Sequence, residues 1–366
     1  MAPRPRRARS LAVLAAACLS CAHDVYREEP SGALPGRAPE VRALVFGDFG
    51  RRTLLQRIVA RAMVRESVAR PFDLALELGD NLYYCGPDPL RAGAETCRFE
   101  ADGATVAPGA VPPDDPMFDA QNEARLRGLR GRDGGPVPVF LALGNHDVGW
   151  GGPRCAAPGL ADDEASRRRA CLEVARRTPT WQMPGRHYVV DRGPVRFVVI
   201  DTNVVVADYG GFTLDAEVEF VRRATEGCGE GRQCFLAGHH APAAAHGYRV
   251  RARGRSPTQD RMARLLAAAG GRVRAFLAGH VHTLEHLTLD GLDVFVSGST
   301  AMGGFMRMKV VTPARARPLF ATSAWGFAVL EADARGYWVR FVDAEGRPLH
   351  CCAAGETGPC RPADCS

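Results

Sequence analysis

The chain has 366 residues, 46% hydrophobic and 24% charged, close to globular averages, which excludes a disordered, collagen-like or coiled-coil protein. That length suits one large α/β domain or two small ones, each able to bury a full core. The formal charge of +6 rests almost wholly on arginine, with Lys309 the only lysine. Arginine-rich stretches such as 249–255 lack interleaved aromatics, so the charge does not mark a nucleic-acid surface.

Four of the arginines precede the first apolar run. Arg4, Arg6, Arg7 and Arg9 form a positive segment ahead of residues 11–17, a run far shorter than the ~20 residues that span a bilayer. The layout is that of an export signal over residues 1–22. Ala15-Ala16-Ala17-Cys18 resembles a bacterial lipobox, and Cys21 is a second candidate for lipidation, so the membrane is a partner only through an N-terminal anchor. The expected compartment is the periplasm or cell surface, or the medium. Residues 23–40 read as a flexible linker. Removing the signal leaves a nearly neutral mature chain.

The cysteines agree with export. Beyond the signal they fall into the local pairs Cys85/Cys97, Cys155/Cys171 and Cys228/Cys234, with Cys351, Cys352, Cys360 and Cys365 near the end. An even set without CxxC spacing favours disulfides over zinc. The last four allow three pairings. Residues 85–113, rich in Pro, Gly and Cys, read as a stapled loop within a domain spanning 41–345, and 346–366 as a Cys-rich tail.

Five short apolar runs then end alike, at Gly followed by a metal-binding residue type. Residues 43–46 lead to Gly47-Asp48, 74–78 to Gly79-Asp80-Asn81, and 137–143 to Gly144-Asn145-His146-Asp147. Residues 234–237 lead to Gly238-His239-His240, and 273–278 to Gly279-His280-Val281-His282. Runs of this kind read as strands buried on both faces, with the following residues lifted over the strand end. Apolar stripes predict helices over 53–70, 213–226 and 260–269, with 162–177 a weaker one. After Gly291, residues 294–296, 327–330 and 337–342 predict strands of a second sheet.

One such motif is an ordinary turn; five in one chain point to a metal site. Asp48, Asp80, Tyr83, Asn145, His239, His280 and His282 offer carboxylate, phenol, amide and imidazole but no thiolate, a set for hard to borderline metals. These are too many for one tetrahedral ion and fit two ions sharing a carboxylate, spaced ~3.5–4 Å, a geometry that clamps in-line phosphoryl displacement.

In order, GDFG, GDNLYY, GNHD, GHHAP and GHVH resemble the motifs of calcineurin-like metallophosphoesterases, from about residue 41 to 343. Softer matches fall at 181–184, 200–202, 297–298 and 326–328. Most of that superfamily carries D-x-H at the first motif; here the position is Gly50, and Tyr83 follows the shared aspartate, as in the purple acid phosphatase branch. The resemblance implies an α/β fold: a four-layer α/β/β/α sandwich of two mixed sheets with the dimetal site at strand C-terminal ends. It also implies that Asp48, Asp80, Tyr83 and His282 hold Fe3+. Asp80 would bridge to a divalent ion (Fe2+, Zn2+ or Mn2+) completed by Asn145, His239 and His280. His146 and His246 would be the catalytic histidines, and Asp147 and Asp201 would orient ligands.

The implied activity is hydrolysis of phosphate monoesters, small-molecule substrates, by attack of a metal-bound hydroxide, as in acid phosphatases. The alternatives are a phosphodiesterase or nucleotidase with the same dimetal core, or a non-catalytic surface lipoprotein of the same fold. Val281 and His240 depart from the family pattern, and His240 reads as a rim residue. Of Tyr83 and Tyr84, alternation turns only one to the metals. His187 and His286 read as structural, and His23 and His350 support no functional role.

Overall fold

The computed structural model describes residues 25–108, 115–229, 231–245, 257–303 and 315–365. The strands in chain order begin with β1 (Val25–Arg27), β2 (Val41–Phe46), β3 (Leu74–Glu77), β4 (Val139–Leu141), β5 (Arg177–Thr178) and β6 (Trp181–Gln182). Next come β7 (Tyr188–Arg192), β8 (Val195–Val199), β9 (Gln233–Gly238), β10 (Ala275–Ala278), β11 (Leu284–Leu289) and β12 (Leu292–Ser297). The last are β13 (Ala316–Thr322), β14 (Gly326–Asp333), β15 (Gly336–Asp343), β16 (Pro348–Ala354) and β17 (Arg361–Ala363).

They form two mixed sheets. One has nine strands in the order β17-β16-β15-β14-β2-β3-β4-β6-β5, the other eight in the order β1-β13-β11-β12-β10-β9-β8-β7. All five motif-bearing runs are strands, and they divide between the sheets. β2, β3 and β4 run parallel in the larger sheet, β9 and β10 in the smaller. Phe46 is level with Glu77, Glu77 with Leu141, and Ala278 with Gly238, so the strand ends that carry the motifs align. Parallel strands buried on both faces need the continuous apolar sequence that these runs have.

The sheets face each other through an aromatic layer. Phe235 on β9 meets Tyr337 on β15 at 5.2 Å, and Phe320 on β13 stacks on Phe341 of β15 at 5.6 Å between ring centroids. Helices complete an α/β sandwich. The first, α1 (Leu54–Ala69), is capped by Thr53, whose side chain accepts the Gln56 N–H, and it buries Val59, Ala62 and Met63 while packing against β14. The other long helices among the described residues are α2 (Asp162–Ala175), α3 (Leu214–Ala224) and α4 (Pro257–Ala268), the last two packed on one another. Among the described residues no helix is long and apolar enough to cross a membrane.

Three sequence expectations change. The strands after Gly291 make no sheet of their own: β12 lies beside β10, while β14 and β15 extend the sheet of β2. The Cys-rich segment at the end carries β16 and β17, the far edge of that same sheet. Among the described residues five disulfides form, but two of them cross the sequence pairs. Cys85 joins Cys155 and Cys97 joins Cys171, because residues 85–97 lie against 155–171 rather than folding on themselves. Cys228–Cys234 is local, and the last four pair as Cys351–Cys365 and Cys352–Cys360. The disulfides fit an exported protein. Residues 1–24, with Cys18 and Cys21, lie outside the described residues.

Candidate dimetal site

Each motif leaves its strand through a sharp turn. Asp48, Asp80 and His280 have φ of 57°, 56° and 65°, the left-handed region that side chains other than glycine rarely adopt. Three such residues at one point of a fold mark a functional constraint, since each conformation costs stability. The turns fold their side chains back over the sheet ends.

There the donors converge. The Asp48 carboxylate accepts the Tyr83 hydroxyl at 3.0 Å through Oδ1 and the His280 backbone N–H at 2.8 Å through Oδ2. His282 Nε2 lies 3.3 Å from Asp48 Oδ1 and 3.2 Å from the Tyr83 hydroxyl. On the other side, Asn145 Oδ1 lies 3.0 Å from both His239 Nε2 and His280 Nδ1. Asp80 Oδ1 accepts the His146 backbone N–H at 3.0 Å and stands 3.3 Å from His239 Nε2. Asp48, Asp80 and His239 offer ligand atoms within 4.8 Å of one another.

This arrangement fits cations. His239 Nδ1 faces the Leu78 carbonyl at 2.8 Å and must donate to it, so in the neutral ring Nε2 is a lone pair. That lone pair points at the oxygens of Asn145 and Asp80, an alignment that positive charge relieves. Burial opposes charge on His239, yet the Asp80 and Asp48 carboxylates outweigh it and raise its pKa. Burial pushes His280 down to about 4, helped by neighbouring His239, so it stays a neutral donor. Burial would raise Asp48, but the hydrogen bond and charge of His282 hold it below the usual carboxylate value. Burial and the two carboxylates push the Tyr83 hydroxyl well above its ordinary value, so only a strong Lewis acid makes it a phenolate.

Gly50 stands where the D-x-H pattern would place a histidine. A Cβ there would lie 2.1 Å from the Asn81 carbonyl carbon and 2.4 Å from the Leu82 nitrogen. The close strap leaves no room for any side chain at residue 50, and the Tyr83 N–H bonds to the Gly50 carbonyl at 3.0 Å. Tyr83 is buried and turned to the site, whereas the Tyr84 ring is partly exposed and turned to arginines. His146 donates Nδ1–H to the Tyr84 carbonyl at 2.7 Å, which leaves Nε2, 3.9 Å from Asp80 Oδ2, to exchange a proton. His246 lies outside the described residues.

Other expectations shift. Asp147 clamps the motif loops, accepting from Gly144 N at 2.7 Å and Leu82 N at 2.9 Å. Asp201 touches no ligand; it binds Arg186, Tyr209 and the Asn203 N–H, and Asn203 reaches the site through the Gly144 carbonyl. His240 is buried rather than on the rim, held by Thr202 Oγ1 at 3.0 Å with its ring 4.5 Å from His280. Thr202 lies in the soft motif match at 200–202, but its role was not read from it. Its hydroxyl accepts the N–H groups of His239 and His240, fixing the fourth turn. The match at 200–202 and its place after the 195–200 apolar run were the signals that could have found it.

The family model described as calcineurin-like phosphoesterase matches residues 41–284. The chain belongs to the calcineurin-like phosphoesterase family. It is a metal-dependent phosphoric ester hydrolase whose fold implies a metal pair, and its substrates are phosphate esters. No curated protein matches it in sequence. Among solved structures it is similar to GAP50, the anchor in the inner membrane complex of Plasmodium, with TM-score 0.61 and 17% identity over 87% of this chain and 90% of that one. It is similar to the purple acid phosphatase PPD1 from yellow lupin, with TM-score 0.55 and 14% identity over 88% of this chain and 55% of that one. PhoD follows with TM-score 0.53 and 12% identity over 93% and 74%. At these identities the structures share the fold with this calcineurin-like protein.

Proposed function

We propose that the protein hydrolyses phosphate monoesters in the manner of a purple acid phosphatase. The observation that carries this reading is the Tyr83 hydroxyl lodged between Asp48 and His282, with Gly50 barred from bearing a histidine. Asp48, Asp80, Tyr83 and His282 would hold a ferric ion; Asp80, Asn145, His239 and His280 a divalent one, Fe2+, Zn2+ or Mn2+. Bound there, the two cations supply the charge that acidifies a water and neutralises phosphoryl oxygens.

The chain's own residues do the rest. Asp147 and Thr202 hold the motif turns so that the donors need no rearrangement. His146, with Nδ1 committed to the Tyr84 carbonyl, presents Nε2 to protonate the leaving oxygen. His246 is assigned the second catalytic position by motif alone. Residues 1–22 are taken as an export signal with lipidation at Cys18 or Cys21, and residues 41–345 as the catalytic unit.

The test is metal analysis with a visible spectrum and paired assays on 4-nitrophenyl phosphate and bis(4-nitrophenyl) phosphate. Two metals per chain, a charge-transfer band that Tyr83→Phe abolishes, and faster monoester turnover are expected. A colourless, metal-replete oxidised protein overturns the ferric–tyrosinate assignment, and faster diester turnover overturns the substrate class.

A further inference from the structure

Tyr84 ties the site to a feature beyond the metal ligands. Its carbonyl holds His146, while its ring, 5.8 Å from the His146 ring, carries two guanidinium groups. Arg154 Cζ sits 3.8 Å from the Tyr84 ring centroid and Arg51 Cζ 5.1 Å. Among the described residues neither arginine has a carboxylate partner, and besides the Tyr84 ring the Arg51 guanidinium meets the poor acceptor Met302 Sδ, at 2.9 Å. Elsewhere arginines such as Arg42, Arg176 and Arg186 are ion-paired.

The pair is held in place by construction. The disulfide Cys85–Cys155 joins the residue after Tyr84 to the residue after Arg154. The loop between them passes so close that a Cβ on Gly151 would lie 2.0 Å from the Tyr84 carbonyl oxygen and 2.8 Å from His146 Nδ1. Arg51 is two residues beyond Phe49 and three beyond the ligand Asp48, so it is anchored from the metal side. A guanidinium stacked on an aromatic face keeps its N–H edge free for the bidentate bonding that phosphate favours.

We propose that Arg51 and Arg154 form a second anion subsite, selecting phosphate monoesters that carry a further phosphate group. The scissile phosphate would sit at the metals and His146, and the second would reach across Tyr84. This rests on the phosphatase reading above.

The test compares propyl phosphate with propane-1,3-diol bisphosphate on the metal-loaded enzyme, and measures by calorimetry the binding of propylphosphonate and propane-1,3-bisphosphonate. Wild type is expected to favour the bisphosphate in kcat/KM by about tenfold, the worth of one charge-assisted contact. The bisphosphonate is expected to bind more tightly by a similar factor. Arg154→Gln and Arg51→Gln should shrink both gaps to about threefold or less, with Arg154→Lys intermediate. Arg222→Gln, remote on α3, should leave them intact. Turnover of propyl phosphate without a gap, or with a gap that Arg154→Gln preserves, overturns the subsite and leaves the phosphatase standing. Hydrolysis of neither ester overturns both.

Discussion

Two histidine clusters bridge the same pair of sheets, and they differ in what their lone pairs face. At the strand ends, His239, His280 and His282 meet Asp48, Asp80, Asn145 and Tyr83. In mid-sheet, His286 on β11 meets Asp293 on β12 and His350 on β16. By proximity the two are alike, since His286, His350 and Cys352 also offer atoms within 4.8 Å of one another. Their hydrogen bonds separate them. Asp293 Oδ1 accepts His286 Nε2–H at 3.1 Å, which makes His286 Nδ1 an acceptor for His350 Nε2–H at 3.0 Å. Asp293 Oδ2 accepts from the Tyr337 hydroxyl and the Cys360 N–H, and Cys352 is bound in a disulfide with Cys360. Every acceptor named there has its proton, and the cluster is a finished piece of core. At the strand ends, in the neutral His239 ring, an acceptor nitrogen faces acceptor oxygens, an arrangement that added positive charge completes.

The largest effects should break this contrast in opposite directions. Asp80→Ala removes the carboxylate proposed to bridge the two halves of the site. Phosphatase activity should fall at least about 10³-fold and metal content should collapse. The metal-free protein should still fold cooperatively, since the change lies at the strand ends rather than in the core, although alanine suits the φ of 56° less well than aspartate and leaves the His146 N–H unpaired. Asp293→Leu should do the reverse. It strands the donors of His286, Tyr337 and Cys360 in the core, at a cost of about 3–5 kcal/mol in urea unfolding. Whatever still folds should keep its metals. If Asp293→Leu lost metal first, or Asp80→Ala unfolded the chain, the division into site and core would fail.

Gly50→His tests how the site is assembled. It restores the D-x-H spacing common in the family, yet the side chain would start inside the Asn81–Leu82 backbone. We expect lost metal and about 1–3 kcal/mol of destabilisation, typical of overpacking, rather than a converted site. A Gly50→His protein with full metal content would show that the strap yields.

The contrast also marks what the sequence could tell. The strand-end cluster was legible because its residues follow five apolar runs that each end at glycine, a pattern local to a few residues. The α/β class and the helices at 54–69 and 214–224 were legible for the same reason, through period and caps. The core cluster was not, because His286 and His350 meet across two sheets at a separation of 64 residues and neither carries a local signal. The same holds for Cys85–Cys155 and Cys97–Cys171, where chain proximity suggested the wrong partners. Strands β16 and β17 were hidden by cysteines that obscured any alternation.

The smallest effect is the most discriminating, because it changes sign with pH. Burial pushes His350 down to about 2, and the neighbouring His286 and Arg27 add to it. The unfolded chain binds a proton at this residue near pH 6.5, and the folded chain refuses it down to about pH 2. His350 therefore leaves stability untouched above that range and erodes it as pH falls, by up to about 1.4 kcal/mol per unit. His350→Phe keeps the stacking on Phe320, whose ring lies 4.7 Å away, but leaves the His286 Nδ1 lone pair without its donor. At pH 7.5 the variant should be less stable by about 1–2 kcal/mol, the cost of one unfilled buried acceptor. Below the unfolded-state pKa that deficit should shrink and then reverse, since the variant has no imidazole to protonate. Urea unfolding of wild type and variant at pH 7.5, 6 and 5 reads the crossing directly. A deficit constant across that range would mean that His350 is not held neutral by the core.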